Sequence, residues 1–324
     1  MGIKNKTAVR LRGVDSIRFL MALAVVCGHL PRIVDFRAMG PFAHFVRFYS
    51  RVYGVTVNGP GAVIVFFIVS GLCIHFPQRH SLLLPSLKGF YTRRLLRIVL
   101  PLLIALPLLL LAGIHANVIN SGIYWSLISE IIYYLIYPLL LSLRHRFEWK
   151  PIIAGAFMVA IMVILTNPYA GNYPSYGSQL NWVVGLPCWL LGCLLAEQAD
   201  GIDPVGIAHL WLIRFAALGS SIVAVLLRWN VPHVSIGFPW TLTAFSLVAF
   251  FWLAVELRNF KSHEPPVLLE RAGVWSYSIY LTHPVGFFLA GFVVDSVHAP
   301  PGVGLWIWPA PKVCTKSKVS LGHF

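Results

Sequence analysis

Charge is scarce in this chain. Asp, Glu, Lys and Arg make up 11% of its 324 residues, where a soluble domain carries about 25%. Acidic residues are the scarcest, 11 against 25 Lys and Arg. So little charge cannot clothe a surface that faces water. The 58% of hydrophobic residues, with a mean hydropathy of +0.76, also exceed what one soluble core can hold. The bilayer is the remaining solvent. The net charge of +14 would suit a nucleic-acid partner. The basic residues, however, sit in short runs between apolar stretches, the layout of helix-flanking anchors, so nucleic acid is set aside.

Other absences narrow the chemistry. The five cysteines form no C-x-x-C pair, and four of them lie inside apolar runs. No disulfide framework and no zinc or other metal site is expected. There is no nucleophile elbow and no phosphate-binding glycine loop. No repeat, linker or low-complexity segment divides the chain, so residues 1–324 read as one domain. No small-x-small cleavage site closes the first apolar run, which reads as a retained signal anchor.

What is present is a series of apolar runs long enough for a hydrocarbon core of about 30 Å. The runs predict helices near 14–34, 59–77, 96–115, 123–143, 151–167, 181–197, 208–228, 237–257 and 273–295. A tenth, short run lies near 302–311. The expected fold is an all-α integral membrane bundle of about ten transmembrane helices, the last short or incomplete. Alternate loops and both termini hold 20 Lys and Arg, and the opposite side holds five: Arg32, Arg37, Arg47, Arg51 and Arg228. The positive-inside rule places the first set, with the N-terminus, in the cytoplasm. The loop 167–181 then faces outward, where Tyr169, Tyr173 and Tyr176 form an aromatic belt or a stacking surface for a sugar ring.

Charge within a span is expensive and marks function. The first helix carries Asp15, Arg18 and His29. Eleven residues separate Arg18 from His29, which puts them on nearly one face roughly 16 Å apart. Glu130 follows Trp125-Ser126-Leu127 in the fourth helix and is expected in the outer half of the bilayer, level with His29, with Tyr134 and Tyr137 on its face. A carboxylate there must be protonated, wet or paired, and a histidine is a natural partner. Arg93, Arg94 and Arg97 make a cationic stretch at the inner end of the third helix. Guanidinium groups bind phosphate bidentately, so with Arg18 these could form a mouth for a nucleotide-bearing thioester. Topology anchors would look the same. Ser70-Gly71 suits close helix packing, and His283 precedes Pro284 mid-membrane. His75 and the remaining histidines carry no assignment.

These elements together resemble the membrane-bound acyltransferase family 3, bacterial O-acyltransferases of O-antigen, exopolysaccharide and related glycans. Val14-Asp15-Ser16-Ile17-Arg18 through Gly28-His29 is similar to the family's first-helix signature. Phe66 to Gly71 resembles its "FFxxSG" element, and Arg93-Arg94 with Arg97 and Pro101 its "RRxxRxxxP" stretch. Trp125 to Glu130 resembles "WSLxxE", and Ser276 to His283 resembles "SYSxYLxH". The resemblance implies a ten-helix fold in the bacterial inner membrane and an acyl-CoA donor, often acetyl-CoA, used as a co-substrate with no bound cofactor. It implies a catalytic His29, with Glu130 beside it. Arg18, Arg93, Arg94 and Arg97 would contact the donor, and Ser70 and His283 are further substrate contacts. The partners would be membrane lipid, acyl-CoA and a glycan or other hydroxyl acceptor. From about residue 302 the tail departs from the family pattern, as a truncated or frameshifted gene would give.

The expected reaction is O-acyl transfer with His29 as general base. Glu130 would orient the imidazole or stabilise its charged form. The rival is a proton-coupled transporter or flippase of a glycan or lipid, since such proteins also carry intramembrane His, Glu and Arg. Paired half-repeats with broken helices, its usual mark, are absent from the sequence.

Overall fold

A computed structural model of the chain describes residues 11–29, 43–81, 86–111, 124–201, 205–229 and 236–296. All regular structure among them is helical. The main helices are α1 (Val14–His29), α2 (Ala43–Thr56), α3 (Gly59–His75), α4 (Leu87–Leu111), α5 (Trp125–Arg146) and α6 (Trp149–Thr166). They continue with α7 (Gly177–Gln198), α8 (Ile207–Trp229), α9 (Phe238–Ser262), the short α10 (Val267–Ala272) and α11 (Ser276–Ser296). Among the described residues, seven helices are long and apolar enough to cross a membrane. That set omits α1 and α11, so it supports a multi-pass bundle without reaching the expected ten. The tenth run near 302–311 lies outside the described residues.

The centre of the bundle is α3. Its sequence is apolar on every side, and 14 of its 17 residues are buried. A helix without a polar face is stable only when other helices surround it. Asn58 starts it, with Oδ1 accepting from the Gly61 amide at 2.8 Å and Nδ2 donating to Ser221 Oγ at 3.1 Å. Its closest partner is α7, and glycine makes the approach possible. A Cβ on Gly71 would lie 2.0 Å from the Trp189 carbonyl oxygen, and one on Gly192 would lie 1.9 Å from that of Ile68. This is small-residue packing, the expected use of Ser70-Gly71. The outer helices α4, α6 and α8 instead expose large apolar side chains such as Ile104, Met162 and Phe215. A water-facing surface does not tolerate that density, and lipid does.

Three expectations need correction. The third span begins at Leu87 rather than near 96, so Arg93 and Arg94 lie within the helix together with Arg97 instead of at its very end. Residues 43–56, expected as outer loop, form a helix. The stretch 167–181 is not a uniform tyrosine surface. Tyr169 is exposed, but Tyr173 is fully buried, 3.0 Å from Thr243 Oγ1, and Tyr176 donates to the Asn167 carbonyl at 2.9 Å. A buried Tyr173 cannot stack on a sugar.

Candidate active site

The first-helix residues are set by how α1 is held at both ends. At its start, Gly13 adopts a positive φ of +79° against the Phe260 ring. Glu270 of α10 caps the helix from 257 residues away in sequence: it accepts from Gly13 N at 3.2 Å, Ser16 N at 3.0 Å and Ser16 Oγ at 2.6 Å. A carboxylate at a helix N-terminus satisfies orphan amides and suits the helix dipole. At the other end Gly28 meets Gly59, and a Cβ on Gly28 would stand 3.1 Å from the Gly59 Cα. The two helices therefore run antiparallel. Eleven residues back from His29 is Arg18, and eleven forward from Gly59 is Ser70, so these two share a level.

At that level lies an open cleft, its lining including Arg18, Arg97, Ser70, Glu130, Tyr134, Ser126, Tyr277 and Tyr280. Its polar wall centres on Glu130. Ser70 Oγ donates to Glu130 Oε1 at 2.6 Å, Tyr134 donates to the same oxygen, and Trp189 Nε1 donates to Ser70 Oγ at 3.3 Å. Two guanidinium groups share the cleft. Arg18 also keeps a 3.7 Å contact with Asp15 one turn earlier. Arg97 has no carboxylate partner among the described residues. Arg94 donates to the Cys73 carbonyl at 3.2 Å, and Arg93, exposed like Arg97, is not part of the lining. The structure thus brings Arg18 and Arg97 together and leaves Arg93 and Arg94 outside the cleft lining.

Glu130 is therefore not level with His29. The expectation placed Glu130 by starting the fourth helix at the outer face near Tyr124 and Trp125. Both are buried, with the Trp125 ring packed edge-on against Phe67 and Tyr173. The carboxylate consequently sits deep, and its hydrogen bonds go to Ser70 and Tyr134 instead of an imidazole.

The partner of His29 is another histidine. The rings of His29 and His283 have centroids 5.0 Å apart, tilted by 45°. His29 Nδ1 lies 2.8 Å from the Val25 carbonyl oxygen, and His283 Nδ1 lies 2.8 Å from that of Tyr280. A carbonyl oxygen only accepts, so in each ring Nδ1 carries the proton. In the neutral form each Nε2 then presents a lone pair. One face of α11 joins this pair to the cleft: Ser276, Tyr277 and Tyr280 line the cleft, and His283 follows at i+7. Tyr280 OH and Ser126 Oγ hold that wall to α5 at 2.6 Å.

The cleft thus carries two cations and one carboxylate, and α11 leads from its wall to the His29–His283 pair. A family profile described as an acyltransferase domain matches residues 11–312. The chain belongs to the acyltransferase 3 family. It is an acyltransferase, and membership sets aside the transporter alternative. No curated protein and no solved structure matches this chain.

A second polar cluster in this acyltransferase was not foreseen. His75, fully buried, contacts Glu197 Oε1 through Nε2 at 2.7 Å and Tyr137 OH through Nδ1 at 2.9 Å. Arg144 Nη2 lies 2.6 Å from the same carboxylate oxygen, and Trp149 Nε1 donates to it at 3.1 Å. Tyr137, expected beside Glu130, belongs here. No metal-holding group of three or more His, Cys, Asp or Glu occurs among the described residues.

Proposed function

We propose that this membrane protein transfers an acyl group, in the family's usual form acetyl, from cytoplasmic acyl-CoA to a hydroxyl of a glycan or similar acceptor, with His29 as general base. The observation that carries this reading is the His29 Nδ1 contact with the Val25 carbonyl, which leaves Nε2 to accept a proton. Arg18 and Arg97 receive the donor's phosphates, and the acyl end extends along the α11 face toward His29. The acceptor oxygen attacks the thioester carbonyl, its proton passes to His29 Nε2, the C–S bond breaks, and the proton moves on to the leaving thiolate sulfur. While His29 is charged, the lone pair of His283 Nε2 can accept a hydrogen bond from it, the stabilising role first expected of Glu130. Glu130 is a positioning residue: its charge orients the guanidinium groups that share its cleft.

The lopsided distribution of Lys and Arg supports a cytoplasmic N-terminus in a bacterial inner membrane, with the Arg18 end of α1 inward. The test is His29→Gln, which can still hydrogen-bond but accepts no proton at neutral pH. Loss of a general base lowers transfer by about 10²- to 10⁴-fold, and donor affinity is expected to stay near the parent value. Near-normal transfer by the variant would make His29 a packing residue and end this mechanism.

A further inference from the structure

Four of the five basic residues that break the positive-inside pattern fall between residues 32 and 51. Topology does not explain them. Arg47 and Arg51 lie on α2, which carries two distinct stripes between residues 44 and 52. Phe45, Phe48, Tyr49 and Val52, at i, i+3, i+4 and i+7, are 69%, 66%, 60% and 43% exposed. Beside them run His44, Arg47 and Arg51, at i, i+3 and i+7 and also exposed. A helix with an apolar stripe flanked by basic residues lies in the headgroup plane, with one stripe in acyl chains and the other at anionic groups. Its remaining face is tied to the catalytic helix: Tyr53 OH donates to the Cys27 carbonyl at 2.6 Å, two residues before His29.

We propose that α2 is the docking element for an acceptor carried on a lipid phosphate, at the end of α1 that holds His29. The apolar stripe follows the lipid chain and the basic stripe meets the phosphate. The Tyr53 bond then fixes how far the attached sugar lies from the imidazole. A lipid without charge would need no basic stripe, and a soluble anionic sugar would need no exposed aromatic one. This rests on the reading of His29 as the transfer site and adds the class of acceptor.

The test measures binding alone, without donor. The full chain is placed in nanodiscs of zwitterionic phosphatidylcholine containing a long-chain polyprenyl phosphate, and retained lipid is read by native mass spectrometry. The parent protein is expected to hold the polyprenyl phosphate. Arg47→Gln with Arg51→Gln should weaken retention by about thirtyfold, the loss of two basic contacts to an anionic headgroup. Phe45→Ser with Phe48→Ser should weaken it independently. Both double variants are checked for an unchanged thermal midpoint, since the altered side chains are exposed. Parent-like retention in the arginine variant would overturn the proposal. So would displacement by an equal amount of phosphatidylglycerol, which would make α2 a general anchor to anionic membrane. Because no transfer is measured, neither result depends on the outcome for His29→Gln.

Discussion

Helices α3, α5 and α7 build two polar clusters, and the clusters differ in how they settle their charge. One holds Ser70, Glu130, Tyr134 and Trp189. The other holds His75, Tyr137, Arg144 and Glu197, with Trp149 from α6. In the second, the carboxylate meets its cation directly at 2.6 Å, so the cluster closes on itself. In the first, Glu130 takes its hydrogen bonds from neutral hydroxyls, while Arg18 and Arg97 stand in the same cleft at longer range. A closed network rigidifies its surroundings. An open one keeps cationic binding capacity for a ligand. Residue types alone do not separate the two clusters; their connectivity does.

The largest expected effect bears on that spare capacity. Arg18→Gln with Arg97→Gln should weaken acyl-CoA binding by about 3 kcal/mol or more, roughly a hundredfold, from the loss of two charged hydrogen bonds. Exposed Arg93→Gln should change it far less. Equilibrium binding of a fluorescent acyl-CoA checks both, and equal losses would return the donor mouth to the whole arginine stretch. A smaller effect concerns the platform beneath both clusters. Gly192→Ala forces a methyl into the Ile68 carbonyl and should cost about 1–3 kcal/mol of stability, read as a lowered thermal midpoint in detergent. An unchanged midpoint would show that α3 and α7 do not need their close crossing.

The smallest effect lies in the loops at the His75 end of α3. The hydrogen bond from Arg79 holds the Asp200 carboxyl below its ordinary value of 3.8, helped by the charges of Arg79, His80 and Lys261. A lowered carboxyl pKa contributes stability above 3.8 that is lost as the pH falls through the lower, folded value. Asp200 is exposed, so Asp200→Asn should cost at most about 1 kcal/mol at neutral pH. Thermal midpoints measured against pH should converge for parent and variant in acid. A constant difference across that range would mean that the ion pair is not what the substitution removes.

The spans and motif residues were legible because hydrophobic runs and local spacing are properties of the chain itself. What failed was depth and partnership. The position of Glu130 was inferred from where its apolar run begins, and a run along the chain does not tell how deep its first buried residues, such as Trp125, sit in the bundle. The cap on α1 and the Glu197 cluster join residues 257 and 122 positions apart, which no window along the chain can see. Helix α2 was hidden because Arg47 and Arg51 interrupt its apolar pattern, although they repeat at helical spacing. The pairing of His29 with His283 was open to neither motif alone.

On the proposed function, the open cluster serves the reaction and the closed one serves the fold. Glu130→Gln and Glu197→Gln, purified together and assayed for transfer per folded molecule and for thermal midpoint, test it most directly. Glutamine at 130 can still accept from Ser70 and Tyr134, so stability should hold while transfer falls by about tenfold or more, the loss of one charge that orients the donor contacts. Glutamine at 197 leaves Arg144 without its counter-charge. Stability should fall by about 2 kcal/mol, less than a fully buried pair would lose, while each folded molecule keeps near-parent transfer. The reverse result, a stable but inactive Glu197→Gln beside an active but unstable Glu130→Gln, would place the reaction at the wrong cluster and contradict the account.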